Sequence, residues 1–169
     1  MATHWMRRSL LAAACAGAAL LAACGSSTTE SAITPDRFIA FGDAYSDVGQ
    51  TGSRYTVNDG SVNNWTQQLA DRYGKPLTSV SAGGLSYAQG NARIAATPDA
   101  AGNAATPTLT AQIGNFLAGH SFGPDDIVLL SGGTSDLIAN MAAVQAGTLS
   151  VDAFVSGARR DGQLLAAQV

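Results

Sequence analysis

The chain has 169 residues, of which 46% are hydrophobic and 12% are charged, and its net charge is −3. This length suits one domain of ordinary size, and the composition excludes an intrinsically disordered chain. The absence of a basic block argues against nucleic acid as a partner. Because the chain has only two His and two Cys residues, we predict no metal site and no cofactor.

Residues 1–23 are predicted to be an export signal that is not part of the fold. Arg7 and Arg8 form a positive start, and Ser9 to Ala23 is an apolar stretch too short to span a bilayer comfortably. The stretch ends in Leu-Ala-Ala-Cys-Gly at 21–25, which resembles a bacterial lipobox. An ordinary secretory signal with an incidental Cys is the alternative.

The lipobox resemblance implies that Cys24 is lipidated and that the protein is an exported, membrane-anchored lipoprotein. Gly25 resembles the sorting pattern for the outer membrane, and a secreted or periplasmic protein is the other expectation. Two or more acyl chains give stable anchoring, whereas one chain is marginal. Residues 24–35 would be the lipidated Cys and a flexible tether, and 36–169 the folded domain. Cys15 leaves with the signal, so we expect no disulfide within one chain.

The domain is predicted to alternate strands with helices. Apolar runs predict three strands, at Phe38–Phe41, Leu77–Ser81 and Ile127–Leu130. Four helices are predicted: one after an Asn64 cap, one from Leu109 to Leu117, one from Leu137 to Gln145, and one after a Ser150 cap. The apolar face of the first helix consists of Trp65, Leu69, Ala70 and Tyr73, and Gly74 is its predicted end. This order predicts an α/β fold with a parallel sheet covered on both faces.

The end of the chain at Val169 falls inside a helical pattern, and three strands would leave a long sheet edge uncovered. We therefore expect the N-terminal part of a longer protein, with the sheet truncated after the third strand. A natural small version of the fold is the alternative.

Three blocks of small and polar residues follow the predicted strands, at the edge where open parallel sheets bind ligands. Block one (42–49) reads Gly-Asp-Ala-Tyr-Ser-Asp-Val-Gly, block two (81–90) reads Ser-Ala-Gly-Gly-Leu-Ser-Tyr-Ala-Gln-Gly, and block three (131–137) reads Ser-Gly-Gly-Thr-Ser-Asp-Leu. Together they resemble the SGNH or GDSL family of ester hydrolases. The helix after Asn64, which begins with Trp65, resembles the lecithinase and haemolysin-like branch of that family.

The resemblance implies a flavodoxin-like, three-layer α/β/α fold and hydrolysis of a carboxylic or lipid ester. Ala44 stands where the family has its nucleophilic Ser, and Gly84 matches the glycine whose N–H is an oxyanion donor. Ser135 stands where the family has an Asn whose amide is a further donor. The family's Asp-x-x-His block is missing, because His4 lies in the signal and His120 is expected to be an exposed residue after a helix.

Several of these positions also have a simpler structural interpretation. Ser46 is expected to cap the following turn rather than to replace the nucleophile, and Asp47 to have a similar structural role. Gly84 also fits a plain glycine turn after a strand. Ser135 is more simply the cap of a helix that begins at Asp136.

These observations predict an ester-hydrolase-like lipoprotein whose catalysis is impaired, because a methyl group cannot attack a carbonyl carbon. Removing the Ser of such a triad costs roughly a millionfold in rate. A non-catalytic, membrane-anchored binding domain and a truncated gene product without stable function are the alternatives. A doubly wound nucleotide-binding domain fits less well, because the glycine pairs lack the G-x-G-x-x-G spacing. The expected partners are a lipid or ester small molecule and, through Cys24, the bacterial membrane.

Overall fold

The structure, a computed structural model, describes residues 33–56 and 58–169. Its elements in chain order are β1 (Arg37–Gly42), α1 (Trp65–Arg72), a short 3-10 helix (Val80–Ala82), α2 (Leu109–Leu117), β2 (Asp126–Ser131), α3 (Thr134–Gln145) and α4 (Val151–Ala166). The described residues form a mixed α/β fold with a two-stranded parallel sheet and four α-helices. The predicted signal, Cys24 and the tether up to residue 32 lie outside the described residues.

The two strands arise from short apolar runs, and β1 buries five of its six residues whereas β2 buries only Leu129. β1 and β2 pair in parallel along their whole length, from Arg37 opposite Asp126 to Gly42 opposite Ser131. At the first pair the Arg37 guanidinium binds both carboxylate oxygens of Asp126, at 2.8 and 2.9 Å. The predictions of strands over Phe38–Phe41 and Ile127–Leu130 are therefore confirmed.

The predicted strand over Leu77–Ser81 is wrong, because this segment runs into the 3-10 helix and turns at Gly83, where φ is +81°. The segment Leu85–Gln89 lies beside β1 in its place. The Ala40 N–H donates to Leu85, and the N–H groups of Tyr87 and Gln89 donate to Ala40 and Gly42. These three backbone bonds, of 3.1, 2.7 and 3.1 Å, give β1 a partner on its second side.

The core surrounds β1, whose successive side chains point to opposite faces of the sheet. On one face Phe38 and Ala40 pack with residues of α1 and with Leu77 and Leu129. On the other face Ile39 and Phe41 pack with residues of α2. Helices thus cover both faces of β1.

The helix ends agree in part with the sequence. Asn64 caps α1 by accepting bonds from two backbone amides, Gly74 follows the helix with φ +66°, and Ser150 caps α4. Trp65, predicted on the buried face of α1, is 43% exposed. Helix α3 begins three residues before its predicted start at Leu137. No helix in the described part of the chain is long and apolar enough to cross a membrane.

We predict that Gly42→Ala destabilises the fold by at least about 2 kcal/mol. Gly42 has φ +151°, and a Cβ there would collide with the carbonyl oxygen of Ser131. Urea unfolding at pH 7 measures this loss. Gly114→Ala is the matched control, because a Cβ at Gly114, inside α2, meets open space. The control should stabilise by about 0.5–1 kcal/mol, and an equal loss in both variants would contradict the prediction.

Candidate functional site

The candidate site lies where β1 and β2 end together. Gln112, on α2, holds the last residue of β1 through both of its backbone groups. Its side-chain oxygen accepts from the Gly42 N–H at 2.8 Å, and its amide nitrogen donates to the Gly42 carbonyl at 2.9 Å. Because Gln112 is only 1% exposed, these bonds fix the turn that presents block one.

The Ser46 hydroxyl joins block one to block three. Its Oγ lies 2.7 Å from the Oγ of Ser131, and the side chain is fully buried. The expectation that this hydroxyl caps the following turn is therefore wrong, since Ser131 takes its hydrogen bond. A fully buried hydroxyl also has no access to a substrate in this arrangement. Ser46 is thus a structural residue and no substitute nucleophile.

The Asp47 carboxylate joins block one to block two. Its Oδ1 accepts from the N–H groups of Gly49 and Gln50, at 2.8 and 2.9 Å. Its Oδ2 accepts from the Gly90 N–H at 2.7 Å. The side chain is buried with both oxygens used, so the structural role predicted for Asp47 is confirmed.

Ala44 follows directly on this fixed turn. Its backbone N–H donates no hydrogen bond to any residue that the structure describes, and the residue is half-buried. The methyl group supplies no nucleophile. What position 44 offers to a ligand is therefore a backbone donor next to a small apolar side chain.

Ser135 lies in the first turn of α3, against the carboxyl of Asp43. The expectation that Ser135 caps a helix beginning at Asp136 is wrong, because α3 begins at Thr134 and Gly133 occupies the cap position without a side-chain bond. The Ser135 hydroxyl makes no hydrogen bond within the described part of the chain, although the residue is buried. Ser135 thus contacts Asp43, the residue before Ala44, at the edge of the sheet.

Gly84 does not join this group. Its N–H donates to the Ser79 carbonyl at 2.9 Å, so it is not available to a ligand. It lies beside the start of β1, in a cavity that Arg37 and Lys75 also line. A Cβ on Gly84 would collide with Thr78, which explains the glycine by close packing of the turn rather than by substrate binding.

Asp43 is the most perturbed carboxyl of the site. Its side chain is 1% exposed, and its Oδ2 has no hydrogen-bond partner among the described residues. Burial raises the pKa of Asp43, and the Asp136 charge raises it further, while the backbone amides of Tyr45 and Ser135 oppose the shift. A buried carboxyl with an unpaired oxygen is costly in its charged form.

Asp136 is paired much better than Asp43. It accepts from the Arg93 guanidinium at 3.1 Å and from the Ile94 N–H at 2.9 Å. It also occupies the first turn of α3, where the partial positive charge of a helix start favours a carboxylate. Both carboxylate oxygens of Asp136 thus have a hydrogen-bond partner.

No imidazole of the described residues lies at the site. His120 is exposed, as predicted, and its ring stacks on Phe116 with centroids 5.2 Å apart. The next residue, Ser121, accepts a hydrogen bond from Arg37 at the start of β1, so His120 lies at the opposite end of the strand from Ala44. Among the described residues no group of three His, Cys, Asp or Glu side chains could hold a metal ion.

Sequence reasoning missed two residues that shape the site, Gln112 and Gly90. Gln112 is 70 positions from the Gly42 that it holds, and no local pattern marks such a contact. Gly90 is the last residue of block two and directly follows the segment Leu85–Gln89 that lies beside β1. This position in the sequence could have identified it.

Comparison with models of protein families, with curated proteins and with solved structures finds no match to the chain.

We predict that Asp43→Asn removes a loss of stability that accompanies rising pH. Because the folded-state pKa of Asp43 lies above its unfolded value of about 3.9, the folded state binds more protons between the two values. Stability therefore falls as pH rises from near 4 to the raised value, and then stays level. Urea unfolding from pH 3 to pH 8 should show that the free energy of unfolding of the variant rises relative to that of the natural chain across this window.

Asp126→Asn is the control with the opposite sign. The hydrogen bond from Arg37 lowers the pKa of Asp126, so its contribution is present above about pH 3.9 and is lost on acidification. The variant should lose stability at neutral pH and match the natural chain in acid. If the free energies of unfolding of Asp43→Asn and of the natural chain change in parallel with pH, the raised pKa of Asp43 is contradicted.

Proposed function

We propose that the chain is a relative of the SGNH or GDSL ester hydrolases that binds an ester-like ligand without hydrolysing it. The observation that carries this proposal is the N–H of Ala44, which has no partner among the described residues and follows Asp43, a residue that contacts the first turn of α3. In an ester hydrolase, donors at such a position stabilise the oxygen of the reacting carbonyl. Here the backbone donor at position 44 is retained, and a methyl group stands in the position of the nucleophile.

The contacts between the blocks support the proposed relationship. Block one meets block three through Ser46 and Ser131, and it meets block two through Asp47 and Gly90. Three sequence blocks that resemble one family's signatures thus converge at one edge of the sheet. The convergence does not include Gly84, so we assign the donor role to Ala44 and Ser135 alone.

The proposal extends to the fold class and to the cellular location. Helices on both faces of β1 are what a flavodoxin-like, three-layer arrangement requires, and we propose that class for the domain. The lipobox-like residues that end in Cys24 support a lipoprotein anchored to the outer membrane. A short tether of small polar residues would then hold the domain at the membrane surface.

We predict that the natural chain does not turn over p-nitrophenyl butyrate above the buffer rate, and that Ala44→Ser restores no activity. The new hydroxyl would lack a base, because His120 lies at the opposite end of β1. Release of nitrophenolate at pH 8 measures both rates. Turnover by the natural chain would overturn the proposed loss of hydrolysis, and turnover by Ala44→Ser would show that another group serves as the base.

Binding is tested separately with ethyl butyrate, a neutral ester. We expect a saturable shift of the Ala44 amide resonance in the ¹⁵N spectrum of the full chain. Ser135→Ala should weaken binding about three- to tenfold, the size of one lost hydrogen bond. Ser156→Ala on the exposed side of α4 is the matched control and should bind like the natural chain. An unmoved Ala44 resonance would overturn the proposed binding function.

A further inference from the structure

A cleft of about 470 Å³ lies beside the candidate site, a volume within the range of small-molecule sites. It adjoins Gly42 through two of its lining residues. The Gln112 side chain binds both backbone groups of Gly42, and the Gln89 N–H donates to the Gly42 carbonyl. The cleft is therefore part of the same edge of the sheet as Ala44.

The cleft is lined by polar, uncharged side chains, although most of its exposed surface is contributed by apolar atoms. None of the described residues that line it is an Asp, Glu, Lys, Arg or His, and seven of the nine carry an amide or a hydroxyl group. Val80 and Pro107 supply its apolar walls. A charged ligand would find no opposite charge here, and an acyl chain would leave the polar groups without partners.

Part of this lining is held rigidly. Gln50 donates to the Ser86 carbonyl at 2.6 Å and accepts from the Ser81 N–H at 3.0 Å. Gln112 is occupied by Gly42. These side chains form a fixed frame, so ligand binding need not order them.

Four other polar groups of the cleft are free. The side chains of Thr51, Tyr87, Gln89 and Asn115 make no hydrogen bond to any residue that the structure describes. The Tyr87 ring is fixed by the rings of Phe41 and Phe116, with centroids 5.6 and 5.9 Å away. Burial also raises the pKa of Tyr87.

We propose that this cleft binds a neutral saccharide, a class of ligand that follows from the convergence of free amide and hydroxyl groups in an uncharged pocket. Each of these groups can donate and accept, as each sugar hydroxyl does. The aliphatic walls fit the C–H faces of a sugar ring. A peptide offers fewer polar groups in the same volume, because each residue carries one backbone donor and one acceptor. The inference rests on the proposed ligand-binding function and assigns a saccharide to the cleft beside the position proposed for the ester.

The test is calorimetric titration of the full chain with cellobiose and with N,N′-diacetylchitobiose. We expect saturable binding of at least one of these neutral disaccharides. Tyr87→Phe and Gln89→Met each remove one hydrogen-bonding group and keep the approximate shape of the side chain. Each should weaken binding about three- to tenfold. Gln163→Met, at an exposed position on α4, is the matched control and should leave binding unchanged.

Three comparison ligands make the test selective. Glucuronate, octanoate and acetylated trialanine amide should bind at least tenfold more weakly than the better disaccharide. No binding of either disaccharide, equal binding of a comparison ligand, or equal weakening by Gln163→Met would overturn the inference. If ethyl butyrate shifts Ala44 while both disaccharides fail, the inference is wrong and the proposed function stands. Disaccharide binding by a chain that hydrolyses p-nitrophenyl butyrate would support the saccharide cleft and contradict the loss of hydrolysis.

Discussion

The close approach of β1 to β2 at their carboxyl ends is the constraint on which the candidate site depends. Gly42 can turn away from the sheet only because it has no side chain to collide with Ser131. Gln112 holds that turn from the opposite side by binding both backbone groups of Gly42. With the turn fixed, the position of Ala44 is determined by two residues far apart in the chain, one on α2 and one at the end of β2.

Hydrogen bonds within the turn extend this constraint to the other two blocks. The carboxylate of Asp47 binds three backbone amides, one of them at Gly90. The Ser46 hydroxyl pairs with Ser131 at the end of β2. A shift of Ser46 or Asp47 would leave a buried polar group without a partner, which is costly. These bonds therefore fix block one against the other two blocks, while Oδ2 of Asp43 has no partner among the described residues.

Local patterns in the sequence identified the elements that form for local reasons. Phe38–Phe41 is an uninterrupted apolar run, and Asn64 and Ser150 cap helices by bonds to their own first turns. A strand is also predicted over Leu77–Ser81, but the backbone bonds to β1 are made by Leu85–Gln89. Which segment pairs with β1 depends on the partner strand and on the glycine turn between the two segments, so the local sequence alone could not reveal it.

The site was predicted where it depends on positions within a block, and was missed where it depends on distant contacts. Ala44 and Ser135 were found because each follows a strand within a recognisable block. Gly84 was chosen from the same kind of pattern, yet the turn directs its N–H to Ser79. The amide of Gln112 could not be predicted, because only the packing of α2 brings it to Gly42. Sequence spacing thus located the edge but not all of the groups that face it.

The charges of this edge disfavour an anionic ligand. Asp43, Asp47 and Asp136 are all buried there, and only Asp136 has a cationic partner, Arg93, among the described residues. An anion near the Ala44 N–H would face these carboxylates at low dielectric, where repulsion between like charges is strong. A neutral ester or sugar hydroxyl accepts a hydrogen bond from the same N–H without that repulsion. For the proposed binding function, the lining of the neighbouring cleft offers an anion no opposite charge, and the acidic residues of this edge would repel it. The two features would therefore disfavour an anion for independent physical reasons.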